Sequence, residues 1–279
     1  MSEALVSLLT ALADDELILG HRHSEWTGFA PHIEEDVAFS SIAQDEIGHA
    51  AALYSILAQR SGGDADGFAL GRDAAAYRHA VLCERPNRDW AYTLARHWVY
   101  DTADAIRLEA LHDTADEDLR ALVTKMSREE RYHLIHADAW IERVAAGPVE
   151  GRIKLEDGLK EAFEEALGLF EPIEHEEKAV HEGYLPLPSS ELARRFRELA
   201  ANKLDELGVQ TEIYSRSDEA AEFVASSSGD LIASGDEHAE SQPERARGLG
   251  GRAGHHSDEF QDLWDVMTST YRNNPGATW

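Results

Sequence analysis

Two tetrapeptides in this sequence carry the same pair of donors at the same spacing: Glu46-Ile47-Gly48-His49 and Glu130-Arg131-Tyr132-His133. In a helix the i and i+3 side chains lie on one face, about one turn apart, so each glutamate and its histidine reach one centre. A further carboxylate precedes each pair, Glu16 by 30 residues and Asp101 by 29. Four carboxylates aimed into one core would repel one another, and each unpaired buried charge is costly. Bound cations relieve all four at once. Oxygen-rich ligation with two imidazoles suits iron or manganese better than zinc, so the expected cofactor is two iron ions, with manganese as the alternative. Six ligands on two metals leave open positions at which O₂ or peroxide would bind. Asp45 and Glu129, each four residues before a ligand histidine, are candidates for the layer behind the ligands. So is His23, against the alternative of a packed core histidine.

The elements that must position these groups are legible as apolar stripes. Residues 2–27, 32–60, 88–115 and 117–146 each repeat apolar positions every three or four residues, the stripe of a helix in a bundle. The candidate ligands interrupt those stripes in phase, one carboxylate per helix, with a histidine added in the second and fourth. Pro31, Gly62-Gly63 and Gly147-Pro148 punctuate the helix ends, and Asn87 is the expected N-cap of the third. The long link 61–87 permits a crossover between two antiparallel pairs and has room for a small helix over 74–82. Further helices are expected over 152–170, 189–206 and 257–271. No segment alternates with a period of two, so no sheet is expected. The expectation is one all-α domain over 1–279, a ferritin-like four-helix bundle. Its metal-binding core spans 2–146 and a helical extension 150–279, with a glycine-rich loop at 226–257 expected to be partly disordered.

Other polar residues receive plainer readings. His21, His97 and Trp98 are expected to pack, and Tyr100 and Tyr132 to point away from the ligands beside them. Asp104, one turn from Asp101, is a candidate extra ligand. His255 and His256 are expected to be solvated in the loop, and Cys83 to be a small buried apolar residue.

Composition bounds the partners. The formal net charge is −28, with no basic patch, which argues against nucleic acid and against anionic membranes. No apolar run approaches the ~20 residues of a membrane-spanning helix. The N-terminus shows no signal-peptide pattern, so a cytoplasmic location is expected. One cysteine excludes an internal disulfide. Only five of the 26 basic residues are lysines, and so acidic a surface is expected of a halophilic protein working in concentrated salt.

At the residues above the sequence resembles the phenylacetic acid catabolic protein family, whose members form the oxygenase core of phenylacetyl-CoA 1,2-epoxidase. The resemblance runs through Leu19 to Pro31, Glu34 to Ala38, Pro86 to Ala91, Arg131 to Leu134 and Gly250 to Trp279. The overall pattern is most similar to the C-type subunit, which has lost most metal ligands and acts as a structural partner. Here all six positions are filled, and Gln44 to His49 with the Trp98-Val99-Tyr100-Asp101 context look like the catalytic A-type. The resemblance implies a di-iron oxygenase subunit acting on an aromatic acyl-CoA, with other oxygenase subunits and a reductase as partners. A structural subunit of the same complex and a ferritin-like iron or peroxide handler are the alternatives.

Overall fold

The computed structural model describes residues 2–209 and 248–277, and every regular element among them is helical. Four long helices form the frame: α1 (Glu3–Ser24), α2 (Ile33–Ser61), α5 (Trp90–Leu111) and α6 (Glu117–Ala145). Between the two pairs lie α3 (Ala65–Leu70), a 3-10 turn Ala74–Ala76 and α4 (Val81–Glu84). The small helix expected over 74–82 is therefore corrected. The chain there is two short turns joined by extended backbone, shaped by contacts of Arg78 and Ala80 with α1.

Local chemistry sets the helix ends. Asp89 and Asp116 accept hydrogen bonds from the backbone N–H groups of Tyr92 and Leu119, capping α5 and α6. Asn87, expected as the α5 cap, instead donates to Arg22 O and accepts from Arg96. Gly62 ends α2 at φ 71°, a conformation that favours glycine.

α1 pairs with α2 and α5 with α6, and α2 lies against α6. The ferritin-like bundle is thus present, with its core running along all four helices. α7 (Val149–Ala166) covers α5, followed by a 3-10 turn Leu167–Phe170, α8 (Glu176–His181) and α9 (Ser189–Glu206), which also packs on α5. α10 (Asp258–Asn273) packs on α3 and α4. Residues 226–247 of the expected loop lie outside the described residues. Residues 248–257 are ordered and docked, correcting the expectation for that stretch. Gly248 lies against Glu165 and Gly251 against the carbonyl of His79, approaches that leave no room for a Cβ.

Candidate metal centre

α1 is buried around most of its circumference, so three consecutive acids, Asp14, Asp15 and Glu16, all lie inside the protein. Successive helical residues point about 100° apart, and each acid meets a different set of partners. Asp14 takes Arg72, Tyr54 and the Arg78 N–H. Asp15 takes Arg107, Arg252 and the Ala80 N–H. Glu16 faces the bundle axis. Glu46 and His49 reach the same region from α2, Asp101 from α5, and Glu130 and His133 from α6, and none of the six is more than 4% exposed. The α1–α2 approach is close here. A Cβ on Gly20 would stand 2.8 Å from Ile47 Cγ1 and 3.2 Å from Glu46 Cβ.

His49 Nδ1 lies 3.1 Å from Glu16 Oε2 and 3.2 Å from Glu130 Oε1, and His133 Nδ1 lies 3.2 Å from Glu130 Oε2. One donor atom each from Glu16, His49 and Glu130 falls within 4.8 Å of the others. Glu46 and Asp101 complete the ring electrostatically: burial first, then their carboxylate neighbours Glu16 and Glu130, push both well above the usual carboxylate range. Both oxygens of Asp101 and of Glu130, Glu46 Oε1 and His133 Nδ1 are buried without a hydrogen-bond partner. Native interiors leave few such atoms, and a cluster of them around one point is what a cation pair would satisfy.

Behind the ring the two halves brace each other. His49 Nε2 donates to Glu129 Oε2 at 2.8 Å, and His133 Nε2 lies 3.3 Å from Asp45 Oδ2. Each acid preceding one Glu-x-x-His thus holds the histidine of the other. Such a carboxylate places the ring proton on Nε2 and frees Nδ1 to face inward. His23 Nδ1 contacts Glu46 Oε2 at 2.9 Å, so His23 occupies the outer layer rather than only packing.

Burial opposes charge on both imidazoles. Glu130, then Glu16, overcomes it and holds His49 up to about 12, and Glu130 does the same for His133, to about 9. Without metal, the ring compensates its carboxylates with protons.

Several readings from sequence change. Tyr100 does not point away: its hydroxyl donates to Glu16 Oε1 at 3.0 Å. Arg107 contacts that hydroxyl at 3.3 Å and donates to Asp104 and to Asp15. Asp104 is thereby tied to Arg107 through Oδ1, while Oδ2 has no hydrogen-bond partner. His97 does more than pack: its Nδ1 is 3.1 Å from Asp101 Oδ2 and its Nε2 is 3.2 Å from His136. His256 is not solvated. It stacks on His79 at 4.1 Å, and Glu84 Oε2 accepts from both rings. One donor atom each from His79, Glu84 and His256 falls within 4.8 Å of the others, and through these contacts the trio clamps the C-terminal segment to residues 79–84. Tyr132 and His255 are exposed and Cys83 is buried, as expected. Spacing cannot reveal Tyr100, Arg107 or His136, whose roles depend on how one helix is rotated against another.

The sequence pattern described as "Phenylacetic acid catabolic protein" matches residues 1–225. This chain belongs to that family. It is also similar to the C-type subunit of 1,2-phenylacetyl-CoA epoxidase from Escherichia coli (strain K12), with 32% identity over 168 residues, covering 60% of this chain and 68% of that protein. As a family member it carries the ferritin-like bundle with candidate metal-binding groups at its centre.

Proposed function

We propose that this member of the family holds two iron ions, with manganese as the alternative, through Glu16, Glu46, His49, Asp101, Glu130 and His133. We further propose that it is an oxygenase subunit of an epoxidase-type complex acting on an aromatic acyl-CoA. The observation that carries the reading is the set of buried donor atoms without hydrogen-bond partners, converging from four helices. A scaffold gains nothing from such groups, since apolar replacements of buried charges are often neutral or stabilising. The donors fit the ions: carboxylate oxygens predominate, with one imidazole from each half.

When bound, the metal pair supplies the activation of O₂, with electrons from a reductase. The protein's own residues do the rest. Tyr100 fixes one oxygen of Glu16 and leaves the other inward. Glu129 and Asp45 fix the histidine tautomers. Burial of all six groups excludes bulk water, which strengthens every interaction inside.

The test is metal analysis of protein purified with iron, followed by turnover of phenylacetyl-CoA by the complex reassembled with its partner subunits and a reductase. Glu46→Ala and His133→Ala should each abolish turnover while the complex still assembles. The similarity to a C-type epoxidase subunit favours a second reading, a structural role beside a catalytic partner. Turnover surviving both substitutions would establish it.

A further inference from the structure

Away from the metal centre, a pocket of about 220 Å³ opens to solvent over residues 6–11 of α1. Arg72 and Arg78 line it from the link between the two helix pairs, and Arg252 from the docked segment 248–257. Ser7 and Thr10 line it from α1, three residues apart on one face of the helix. Neither hydroxyl has a hydrogen-bond partner among the described residues. Val6, Phe68 and Ile173 make the wall apolar elsewhere.

Positive charge is in excess there. Asp14 compensates Arg72, and Asp15 is shared between Arg252 and Arg107. Glu171, the next acid toward Arg252, is held by the Gly250 N–H at 2.8 Å. Glu174 is the one acid on the pocket wall, and its side chain is 71% exposed and 3.7 Å from His175 Nε2. Arg78 has no such partner. Among the described residues its guanidinium donates only to the carbonyls of Ala75 and Tyr77, both at 2.8 Å. The Arg252 side chain is 5% exposed, and its Nε is buried without a hydrogen-bond partner. A chain of net charge −28 repels anions at long range, so three guanidinium groups around one pocket invert the sign locally.

We propose that this pocket binds a phosphoryl group, as the free phosphate ion or as the phosphate of a small ester. Guanidinium groups offer planar, fixed pairs of N–H donors that match phosphate oxygens, and the two hydroxyls add donors from α1. Asp14 and Asp15 hold Arg72 and Arg252 in place, and Arg78 supplies the charge that no carboxylate has matched. The apolar wall suits the body of an ester, since small-molecule sites combine apolar lining with a few placed polar groups. The donors come from three separate segments of the chain. A bound phosphate therefore ties α1, the link and the C-terminal segment together, and it stabilises the fold that holds it.

The proposal is independent of the metal reading. Its test uses the full chain freed of metal by chelation and dialysis, so that phosphate has no ion to bind. With ionic strength held constant by KCl, titration calorimetry with inorganic phosphate should show one saturable site per chain. The melting temperature should rise with phosphate at that same ionic strength. Arg78→Gln removes the unmatched charge and should weaken binding about tenfold. Ser7→Ala combined with Thr10→Val leaves every arginine in place and should weaken binding about threefold, and it decides the matter if the glutamine variant does not fold. Phenyl phosphate is the second probe. Tighter binding than inorganic phosphate assigns the site to an ester, and equal or weaker binding assigns it to the free ion. The absence of saturable binding by both probes overturns the proposal. So does unchanged affinity in a folded Arg78→Gln chain, or in the hydroxyl variant where that one decides.

Discussion

Glu46 and Asp101 are penalised as charged groups in the metal-free protein, because burial and neighbouring carboxylates both act against their charge. Glu46→Gln relieves that repulsion and should raise the melting temperature of the metal-free chain, by about 1–3 kcal/mol of stability, while removing the rise that metal produces in wild type. Calorimetry with and without a chelator reads both signs. The protons on His49 and His133 give a second expectation. Their pKa values are raised in the metal-free state, to about 12 and about 9, so metal must displace protons to reach Nδ1. Metal uptake at pH 7 should therefore acidify a weakly buffered solution, and affinity should fall as pH is lowered. A pH electrode during titration checks it. The Glu-x-x-His repeats were legible because helical spacing alone places i and i+3 together. Glu129 and Asp45 were legible as acids near the site, but not their crossed pairing, which depends on the opposing helix.

At the level of elements, Gly20 lets α1 approach α2 beside Glu46. Gly20→Ala puts a methyl 2.8 Å from Ile47 Cγ1 and 3.2 Å from the Ile47 backbone nitrogen. Overpacking of this kind costs about 1–3 kcal/mol, and because it parts the helices that carry Glu16 and Glu46 it should weaken metal binding too. Urea unfolding and Mn²⁺ dialysis would register the two effects. The clamp around Glu84 predicts an acid-sensitive attachment of α10. Burial acts to raise Glu84, but hydrogen bonds from His256 and His79 overcome it and hold it well below its ordinary value of 4.5. A carboxyl depressed on folding contributes stability above that ordinary value and loses it as pH falls toward the folded value. Burial lowers His79 from 6.5, which adds loss of the same sign on acidification. Trp264 in α10 donates to the Arg72 carbonyl at 3.0 Å, and its fluorescence should report detachment below about pH 4.5, with the step weakened in Glu84→Gln. The long helices were legible from period and punctuation. The link between them was not, because its backbone follows α1's buried acids rather than any periodicity of its own.

For the whole molecule, −28 charges with few lysines mean that the folded chain works against its own field. Added salt shortens the Debye length from about 10 Å at 0.1 M to about 3 Å at 1 M, so the melting temperature should climb with KCl over that range and beyond. A flat or falling curve would reject adaptation to concentrated salt. The acidic total also conceals an interior that composition could not reveal, where Asp15 is shared by Arg107 and by Arg252 from far along the chain. Asp15, Arg107, Tyr100 and Glu16 form one connected line, so the guanidinium of Arg252 is the outer end of the support behind a candidate ligand. That has a consequence for biosynthesis. Residue 252 is translated long after residue 15, and the four long helices can pair on the ribosome while Asp15 still lacks half of its countercharge. The nascent bundle therefore matures from its far end: support for Glu16 is complete only once the late segment has emerged and threaded its arginine between α1 and the Leu169 carbonyl.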